Sequence, residues 1–245
     1  MKINYLPCHE KNYVKGRPGA IKYIVIHYVG ALGGAKANCE YFAGAPRGAS
    51  AHYFVGFDGE VWQSVVDANT AWHCGGGLQG SGGHTFHGKC TNSNSIGIEM
   101  CVRKVNKQRT GEMDKDWFFE EATIDATLEL TRMLMAKYNI DADHVIRHYD
   151  VTGKICPNPF VVHEGAWTDF KARLECDMTQ EQFDKMMNNY LERLAQQEPS
   201  AWSEKARTWA ERFGIINGDG TGNRQYKKFC TREELAQILY NMEGL

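Results

Sequence analysis

Short runs of apolar residues, separated by polar turns, predict a set of β-strands in the first half of the chain. The run Tyr23–His27 is β-branched, aromatic and apolar until its final histidine, which is typical of a central strand. The segment 51–65 holds two extended runs around an Asp-Gly turn and predicts a hairpin. The segment 95–102 predicts another strand, whose apolar residues share one face while Glu99 lies on the other.

Helical periodicity appears later in the chain. Over 118–138 the apolar residues recur at helical spacing and predict a long helix that packs on the sheet. The residues 145–146 predict a short buried strand that ends at His148. The prolines that follow predict a rigid loop carrying Cys156, because proline cannot continue a helix. The segment 167–174 predicts a closing helix.

The composition changes after Cys176, and we therefore predict two domains, 1–176 and 177–245. The second is predicted to be small and helical, and its residues Thr231 and Glu234 have the spacing of a helix-capping box. The order of its motifs, WA-x-x-x-G-I-I-x-G-x-G followed by TREELAQIL, resembles a single S-layer-homology-like repeat. One such repeat is too small to bury a large core alone, so we expect it to pack on other elements or on another copy.

The overall composition is that of an ordinary globular protein, with 42% hydrophobic and 24% charged residues among 245. The net charge of −2 gives no electrostatic basis for binding nucleic acid. The N-terminus lacks an apolar signal segment, and no apolar run is long enough to span a membrane. We therefore expect synthesis in the cytoplasm, no membrane insertion, and cysteines that are mostly thiols. Cys74 and Cys90, which flank a glycine-rich loop, are the candidates for a disulfide or a second metal site.

Three residues that ligate zinc well stand at or just beyond the ends of predicted strands. His27 closes one strand, His148 closes another, and Cys156 follows on the predicted loop. A catalytic zinc typically takes three protein ligands and keeps one position open for water. Each residue alone also has a plain structural explanation: a core histidine, an exposed loop residue and a buried thiol. Lys154, two residues before the cysteine, adds a positive charge to the set.

Five motifs occur in the order IVIHY, SAHYFVGFDGEVWQ, AWHCG, NSIGIEM and HYDVTGKICPNPF. Together they resemble the zinc-dependent N-acetylmuramoyl-L-alanine amidases of the phage-endolysin and peptidoglycan-recognition-protein type. The resemblance implies an α/β fold, with a mixed central sheet flanked by helices and a zinc cleft at the strand ends. It implies hydrolysis of the amide bond between N-acetylmuramic acid and L-alanine in peptidoglycan. The ligands of one zinc ion then fall on His27, His148 and Cys156.

The same resemblance implies roles for four further residues. Glu99 falls on the glutamate that many members have in the SIGIE motif; it either pairs with Lys154 or an arginine as structure or acts as the general base, and the base role is favoured because the zinc site lacks one. Lys154 falls on the family's catalytic lysine, which is expected to stabilise the developing oxyanion. Trp72 and His73, in the AWH motif, fall beside the substrate groove. There Trp72 offers an apolar face to a sugar and His73 offers a polar tip.

One position departs from the family pattern. Other members carry a catalytic tyrosine on the strand read here as 50–53, and that position falls on Ala51. Tyr53 is the alternative, and the base role is assigned to Glu99 because Ala51 has no polar group. The neighbouring His52 has two interpretations, a packed core residue or a hydrogen-bonding support for a zinc ligand.

A peptidoglycan-hydrolysing enzyme is the favoured function. Non-catalytic recognition proteins on the same fold typically lack the cysteine ligand, whereas Cys156 is present. The alternatives are such a peptidoglycan-binding protein and a cytoplasmic amidase that recycles soluble muropeptides. The favoured setting is a phage or prophage lysin that acts on the cell wall after release. The module 177–245 is expected to bind the wall or to support a homodimer.

Overall fold

A mixed six-stranded sheet forms the centre of the first of two compact units, Met1–Cys176 and Asp177–Leu245. The computed structural model describes residues 1–175, 180–216 and 224–243. The strands are β1 Ile3–Tyr5, β2 Tyr13–Val14, β3 Tyr23–Tyr28, β4 Tyr53–Val55, β5 Val61–Gln63, β6 Thr70–Ala71, β7 Ser95–Met100, β8 Arg103–Lys104, β9 Trp117–Phe118 and β10 Val145–Arg147.

The strand order in the central sheet is β1-β5-β4-β7-β3-β10, and every neighbouring pair is parallel except the β4–β5 hairpin. Helices α2 and α5 pack on one face and α1 packs on the other. The predicted mixed sheet flanked by helices is therefore confirmed. The helices are α1 Ala35–Gly44, α2 Glu121–Tyr138, α3 His148–Thr152, α4 Asn158–Val162, α5 Glu164–Glu175, α6 Gln180–Ala195, α7 Glu204–Arg212 and α8 Arg232–Glu243.

The alternation of side chains along β3 and β7 separates an apolar face of the sheet from a polar one. Ile26 and Ile98 are paired in register and fully buried in the core formed with α2 and α5. His27 and Glu99 are the next pair, so both side chains lie on the opposite face. Each buried isoleucine contributes about 1.5–3 kcal/mol to folding. A one-residue slip would expose this whole apolar set, so the apolar pattern also fixes where His27 and Glu99 lie.

The segment after β10 differs from the predicted rigid loop, because it forms the two short helices α3 and α4. Pro157 occupies the N-cap of α4 and Pro159 lies in its first turn, where backbone N–H groups have no partner within the helix. The two prolines therefore begin a helix instead of preventing one. The closing helix likewise begins earlier than predicted, at Glu164 rather than Trp167.

The second unit contributes the helices α6, α7 and α8 within the described residues. The predicted capping box is confirmed: the Thr231 N–H donates to Glu234, and the Glu234 N–H donates to the Thr231 hydroxyl at 3.1 Å. The predicted N-cap Thr179 and the turn at 219–223 lie outside the described residues. None of the helices in the described ranges is both long and apolar enough to cross a membrane.

Candidate metal centre and active site

His27, His148 and Cys156 come together in three dimensions although they are far apart in sequence. Their nearest potential ligand atoms all lie within 4.8 Å of one another, and all three side chains are buried. The Cys156 Sγ lies 3.6 Å from the His27 Nδ1, and the two imidazole rings meet edge to face at 4.8 Å between centroids. Among the described residues this is the single group that has the composition and spacing of a metal site.

Local structure explains how the three residues meet. β10 pairs with β3 so that Arg147 lies beside Ile26, which brings the next residue, His148, next to His27. Gly153 caps the C-terminus of helix α3, and its φ of +81° is a left-handed conformation that favours glycine. The chain then turns back, and the Tyr149 N–H donates to the Cys156 carbonyl at 2.8 Å.

The geometry of this group fits a zinc ion. With bond lengths of about 2.0–2.1 Å to nitrogen and about 2.3 Å to sulfur, tetrahedral zinc separates its nitrogen and sulfur ligands by about 3.6 Å. The observed distance from Cys156 Sγ to His27 Nδ1 is 3.6 Å. The Nε2 of His148 is buried and has no hydrogen-bond partner, which is costly unless another group completes the site. Two imidazoles and one thiol are also a donor set that suits zinc.

Burial controls the charge of these three groups. It lowers the pKa of His27 well below its ordinary value, and the nearby His148 and His73 lower it further. The pKa of His148 falls to about 3, through burial and then through the positive charge of Lys154. Both histidines are therefore neutral at neutral pH, as a metal ligand must be. Burial raises the pKa of the Cys156 thiol, so a bound cation is needed to make it a thiolate.

Glu99 adds a poised carboxyl group to the same face of the sheet. It pairs with His27 across the β3–β7 ladder, and its Oε2 atom is buried without a hydrogen-bond partner. Burial raises the pKa of this carboxyl to about 8, against the opposing effect of Lys154. A carboxyl group with a pKa near neutrality can both accept and return a proton. Lys154 is partly exposed, and its charge acts on His27, His148, Cys156 and Glu99 alike.

Comparison with known proteins matches the part of the chain that carries this site. The profile of the N-acetylmuramoyl-L-alanine amidase family matches residues 16–159, which is more than half of the chain. The chain belongs to this amidase family. The match contains His27, Glu99, His148, Lys154 and Cys156, and with them the whole candidate site.

Individual amidases show the same relationship. A probable N-acetylmuramoyl-L-alanine amidase of Bacillus licheniformis is 34% identical over 177 residues, covering 67% of this chain and 46% of its own. The amidase CwlA of Bacillus subtilis is 25% identical over 223 residues, covering 91% of this chain and 74% of its own. The solved catalytic domain of XlyA superposes with a TM-score of 0.51 at 25% identity, covering 71% of this chain and 99% of that domain. The chain spans about half the length of the first curated amidases it matches.

The two residues predicted beside the substrate groove of the amidase lie in different places. Trp72 is partly exposed and lines a surface cleft together with Asn92 and Thr152; the described lining of that cleft includes none of the three candidate metal ligands. His73 is 9% exposed and lies behind His27, with its Nδ1 3.0 Å from the His27 Nε2. Both ring nitrogens of His73 have protein partners, so the ring has no free polar tip for a substrate.

The residue that hydrogen-bonds to a candidate metal ligand, His27, is His73 and not His52. The Nδ1 of His52 accepts the Gly97 N–H at 3.0 Å, and its Nε2 contacts Arg17 and the Asn69 carbonyl. His52 is therefore the packed core residue of the two interpretations. A signal for His73 was present in the sequence, because a glycine inside an apolar strand marks a close approach. A Cβ on Gly97 would lie 2.5 Å from the His73 ring.

Tyr53 lies outside the candidate site. It pairs with Ile98 and packs in the apolar core on the α2 side of the sheet, while Glu99 lies on the other side. Its hydroxyl donates to Asp67 at 2.6 Å. Ala51, where the family pattern has a tyrosine, is buried. This geometry gives Tyr53 a structural partner on the face of the sheet opposite Glu99.

Cys74 and Cys90 are neighbouring buried thiols in a small apolar cluster with Val25. The two sulfur atoms interact with each other and with the Ser95 hydroxyl, which lies 3.6 Å from the Cys74 Sγ. Both are free cysteines. Neither belongs to a group of three potential metal ligands among the described residues.

Proposed function

We propose that the protein is a zinc-dependent peptidoglycan amidase that cleaves the bond between N-acetylmuramic acid and L-alanine. Membership of the amidase family supports the reaction class. The observation that carries the proposal is the convergence of three buried ligand atoms within 4.8 Å, in a chain whose Glu99 presents an unpartnered carboxyl oxygen on the same sheet face. The proposed ligands of one zinc ion are His27, His148 and Cys156.

In the proposed mechanism, one side chain transfers a proton and another stabilises the developing negative charge. A zinc ion, when bound, supplies the Lewis acid that activates water and polarises the scissile carbonyl group. Glu99 accepts a proton as the water oxygen forms its bond to the carbonyl carbon, and it returns that proton to the nitrogen as the carbon–nitrogen bond breaks. Lys154 donates to the oxygen on which negative charge develops; a positioned donor of this kind is commonly worth about 10²-fold or more in rate.

We further propose that the second unit serves the polymeric substrate by binding the cell wall or by self-association. The match to CwlA covers 91% of the chain and therefore extends past residue 176. The resemblance to an S-layer-homology-like repeat favours wall binding, and a homodimer is the alternative. A protein that lacks residues 177–245 tests this role: with its fold intact, unchanged adsorption to cell walls and an unchanged oligomeric state would contradict both versions.

The cellular setting we propose is that of a lysin that acts on the wall after release from the cytoplasm. XlyA is an N-acetylmuramoyl-L-alanine amidase of Bacillus subtilis, and its catalytic domain shares this fold. A comparison of polymeric peptidoglycan with soluble muropeptides as substrates separates this setting from a recycling role. Turnover of the polymer at least as fast as that of the fragments is the expected result.

Product analysis tests the proposed reaction directly. Purified peptidoglycan is incubated with the wild type, Glu99→Ala, Cys156→Ser and the exposed-carboxylate control Asp143→Ala, and zinc content is measured on each sample. We expect new L-alanine amino termini without new reducing sugar ends from the wild type and the control. Both site variants should lose this activity, and only Cys156→Ser should lose zinc. A zinc-loaded wild type that binds peptidoglycan but releases no amino termini would instead be a recognition protein.

A further inference from the structure

A chain of buried polar contacts runs from the candidate metal site into the interior. The His27 Nε2 lies 3.0 Å from the His73 Nδ1, and the His73 Nε2 lies 3.1 Å from the Ser95 hydroxyl. That hydroxyl lies 2.6 Å from the backbone carbonyl of Thr91. The side chains of His27, His73 and Ser95 are all buried. This series of hydrogen bonds therefore begins at a candidate metal ligand, His27, and ends at the Thr91 carbonyl oxygen, which carries no proton.

With both imidazole rings neutral, the direction of every hydrogen bond follows from the last contact. A carbonyl oxygen can only accept, so at 2.6 Å the Ser95 hydroxyl donates to Thr91. The Ser95 oxygen then accepts from His73, which places the proton of His73 on Nε2. The Nδ1 of His73 is left as an acceptor, so His27 carries its own proton on Nε2. The Nδ1 of His27 is left unprotonated, and it is the atom that faces the Cys156 sulfur.

The position of the His73 ring is built into the fold. The side-chain oxygen of Asn92 accepts the backbone N–H groups of His73 and Cys74, at 3.0 and 2.8 Å, and so fixes the backbone. The ring lies over Gly97, where any Cβ would approach ring atoms to 2.5–2.9 Å. Gly97 lies in β7 between Ser95 and Glu99, so the strand that carries the candidate base also makes room for the ring.

We propose that His73 is a positioning residue that selects the metal-binding tautomer of His27, with the Thr91 carbonyl as the fixed reference and Ser95 as the link. This inference rests on the proposed zinc site. An imidazole nitrogen that carries a proton cannot bind a metal, so the opposite tautomer of His27 has to be converted before zinc binds. Hydrogen-bonding partners of this kind typically contribute about 10–100-fold to metal affinity.

The proposal predicts different effects for two substitutions of the same residue. His73→Phe keeps an aromatic ring but removes the acceptor, and it should weaken zinc binding by about 10–100-fold. His73→Asn places a carbonyl oxygen near the position of Nδ1, so it should restore most of the affinity. Ser95→Ala removes the hydrogen bond that fixes the tautomer of His73, and it should give an intermediate loss of zinc affinity. His163→Phe, at an exposed histidine, is the matched control.

Two measurements report the effect of these substitutions without an assay of amidase activity. Competition with a zinc-chelating dye gives the dissociation constant of each full-length variant, and thermal unfolding of the metal-free proteins verifies the fold. Nitrogen-15 NMR of the metal-free proteins reports which ring nitrogen of His27 carries the proton. We expect the proton on Nε2 in the wild type and in His73→Asn, and a mixture of tautomers in Ser95→Ala.

Two results would overturn the proposal: a His27 protonated on Nδ1 in the metal-free wild type, or equal zinc affinity in His73→Phe and the wild type. The NMR result on the wild type decides the matter even if His73→Phe fails to fold. Cys156→Ser separates this proposal from the proposed function. If the wild type binds zinc no better than Cys156→Ser, the metal site itself is wrong; if it does bind zinc and the His73 variants are unaffected, the inference about His73 alone fails.

Discussion

Asp67 and Glu99 are inward-facing carboxyl groups whose surroundings are opposite. Asp67 is 7% exposed, and both of its oxygens accept hydrogen bonds. The Oδ1 accepts from Tyr53 at 2.6 Å and from Gln63 at 3.1 Å, and the Oδ2 accepts from Lys137 at 2.9 Å and from Tyr138 at 2.6 Å. Burial alone would raise the pKa of Asp67, but these donors outweigh it and hold the pKa below its usual value.

Glu99 has the same functional group in the reverse situation. One of its oxygens is buried without a partner, and the pKa of the carboxyl group is raised to about 8. A buried polar atom without a partner commonly costs about 1–3 kcal/mol. The fold therefore tolerates an unfavourable group at Glu99, where the candidate zinc ligands converge, and satisfies every oxygen at Asp67. Saturation of hydrogen bonds thus separates a structural carboxylate from one kept available for chemistry.

The largest effect on stability is expected at Asp67. In Asp67→Asn an amide group faces Lys137 and Tyr138, both of which are donors, and the negative charge is lost. We expect the free energy of unfolding to fall by about 3 kcal/mol. Urea denaturation at pH 7 measures this change, with the exposed Asp143→Asn as control. A variant as stable as the wild type would show that the Asp67 cluster is not structural.

Substitution of Glu99 is expected to raise the free energy of unfolding, whereas substitution of Asp67 lowers it. Because the folded state binds this proton more tightly than the unfolded state, the wild type loses stability as the pH rises from about 4.5 toward 8. Glu99→Gln has no such loss, and it should be more stable than the wild type by about 2 kcal/mol at pH 8. Near pH 4.5 the two proteins should be nearly equal. Denaturation of the metal-free proteins across this range tests the sign, and a destabilised Glu99→Gln at pH 8 would contradict it.

Zinc binding is expected to depend on pH through the Cys156 thiol and the Glu99 carboxyl group. The buried Cys156 thiol must lose its proton to bind the metal, so affinity should rise at least about tenfold per pH unit between pH 6 and 8, or at least about 1.4 kcal/mol. A bound cation also favours the ionised form of Glu99. The wild type should therefore release more protons on binding than Glu99→Gln, while Asp67→Asn should match the wild type. Calorimetry in buffers of different ionisation enthalpy counts these protons.

The part of the site that local patterns encode could be predicted from the sequence. The apolar run that ends at His27 and the alternation around Glu99 fix both the strands and the face on which each polar residue lies. The motif order then led to His148 and Cys156, which the structure brings together with His27. These features depend on residues adjacent in sequence, or on a pattern that repeats across a family.

The features that sequence analysis missed depend on contacts between distant segments. The partnership of His73 with His27 joins a loop to a strand that is 46 residues earlier in the chain. The assignment of His52 as a core residue follows from its contact with Gly97, 45 residues away. The helix at Pro157 was missed for another reason, because proline both ends and begins helices and only the backbone around it decides between the two.

The smallest effect on stability is expected at Tyr53. Its hydroxyl donates to Asp67 and accepts from Gln63 at 3.0 Å, so Tyr53→Phe removes one member of the saturated cluster. We expect a loss of about 1 kcal/mol in stability and no change in amidase activity per folded molecule. Tyr138→Phe, which removes the matching hydroxyl from the other oxygen of Asp67, should behave in the same way. A general acid or base contributes about 10²–10⁴-fold to the rate, so a loss of that size in Tyr53→Phe alone would move Tyr53 from the structural cluster into the chemistry.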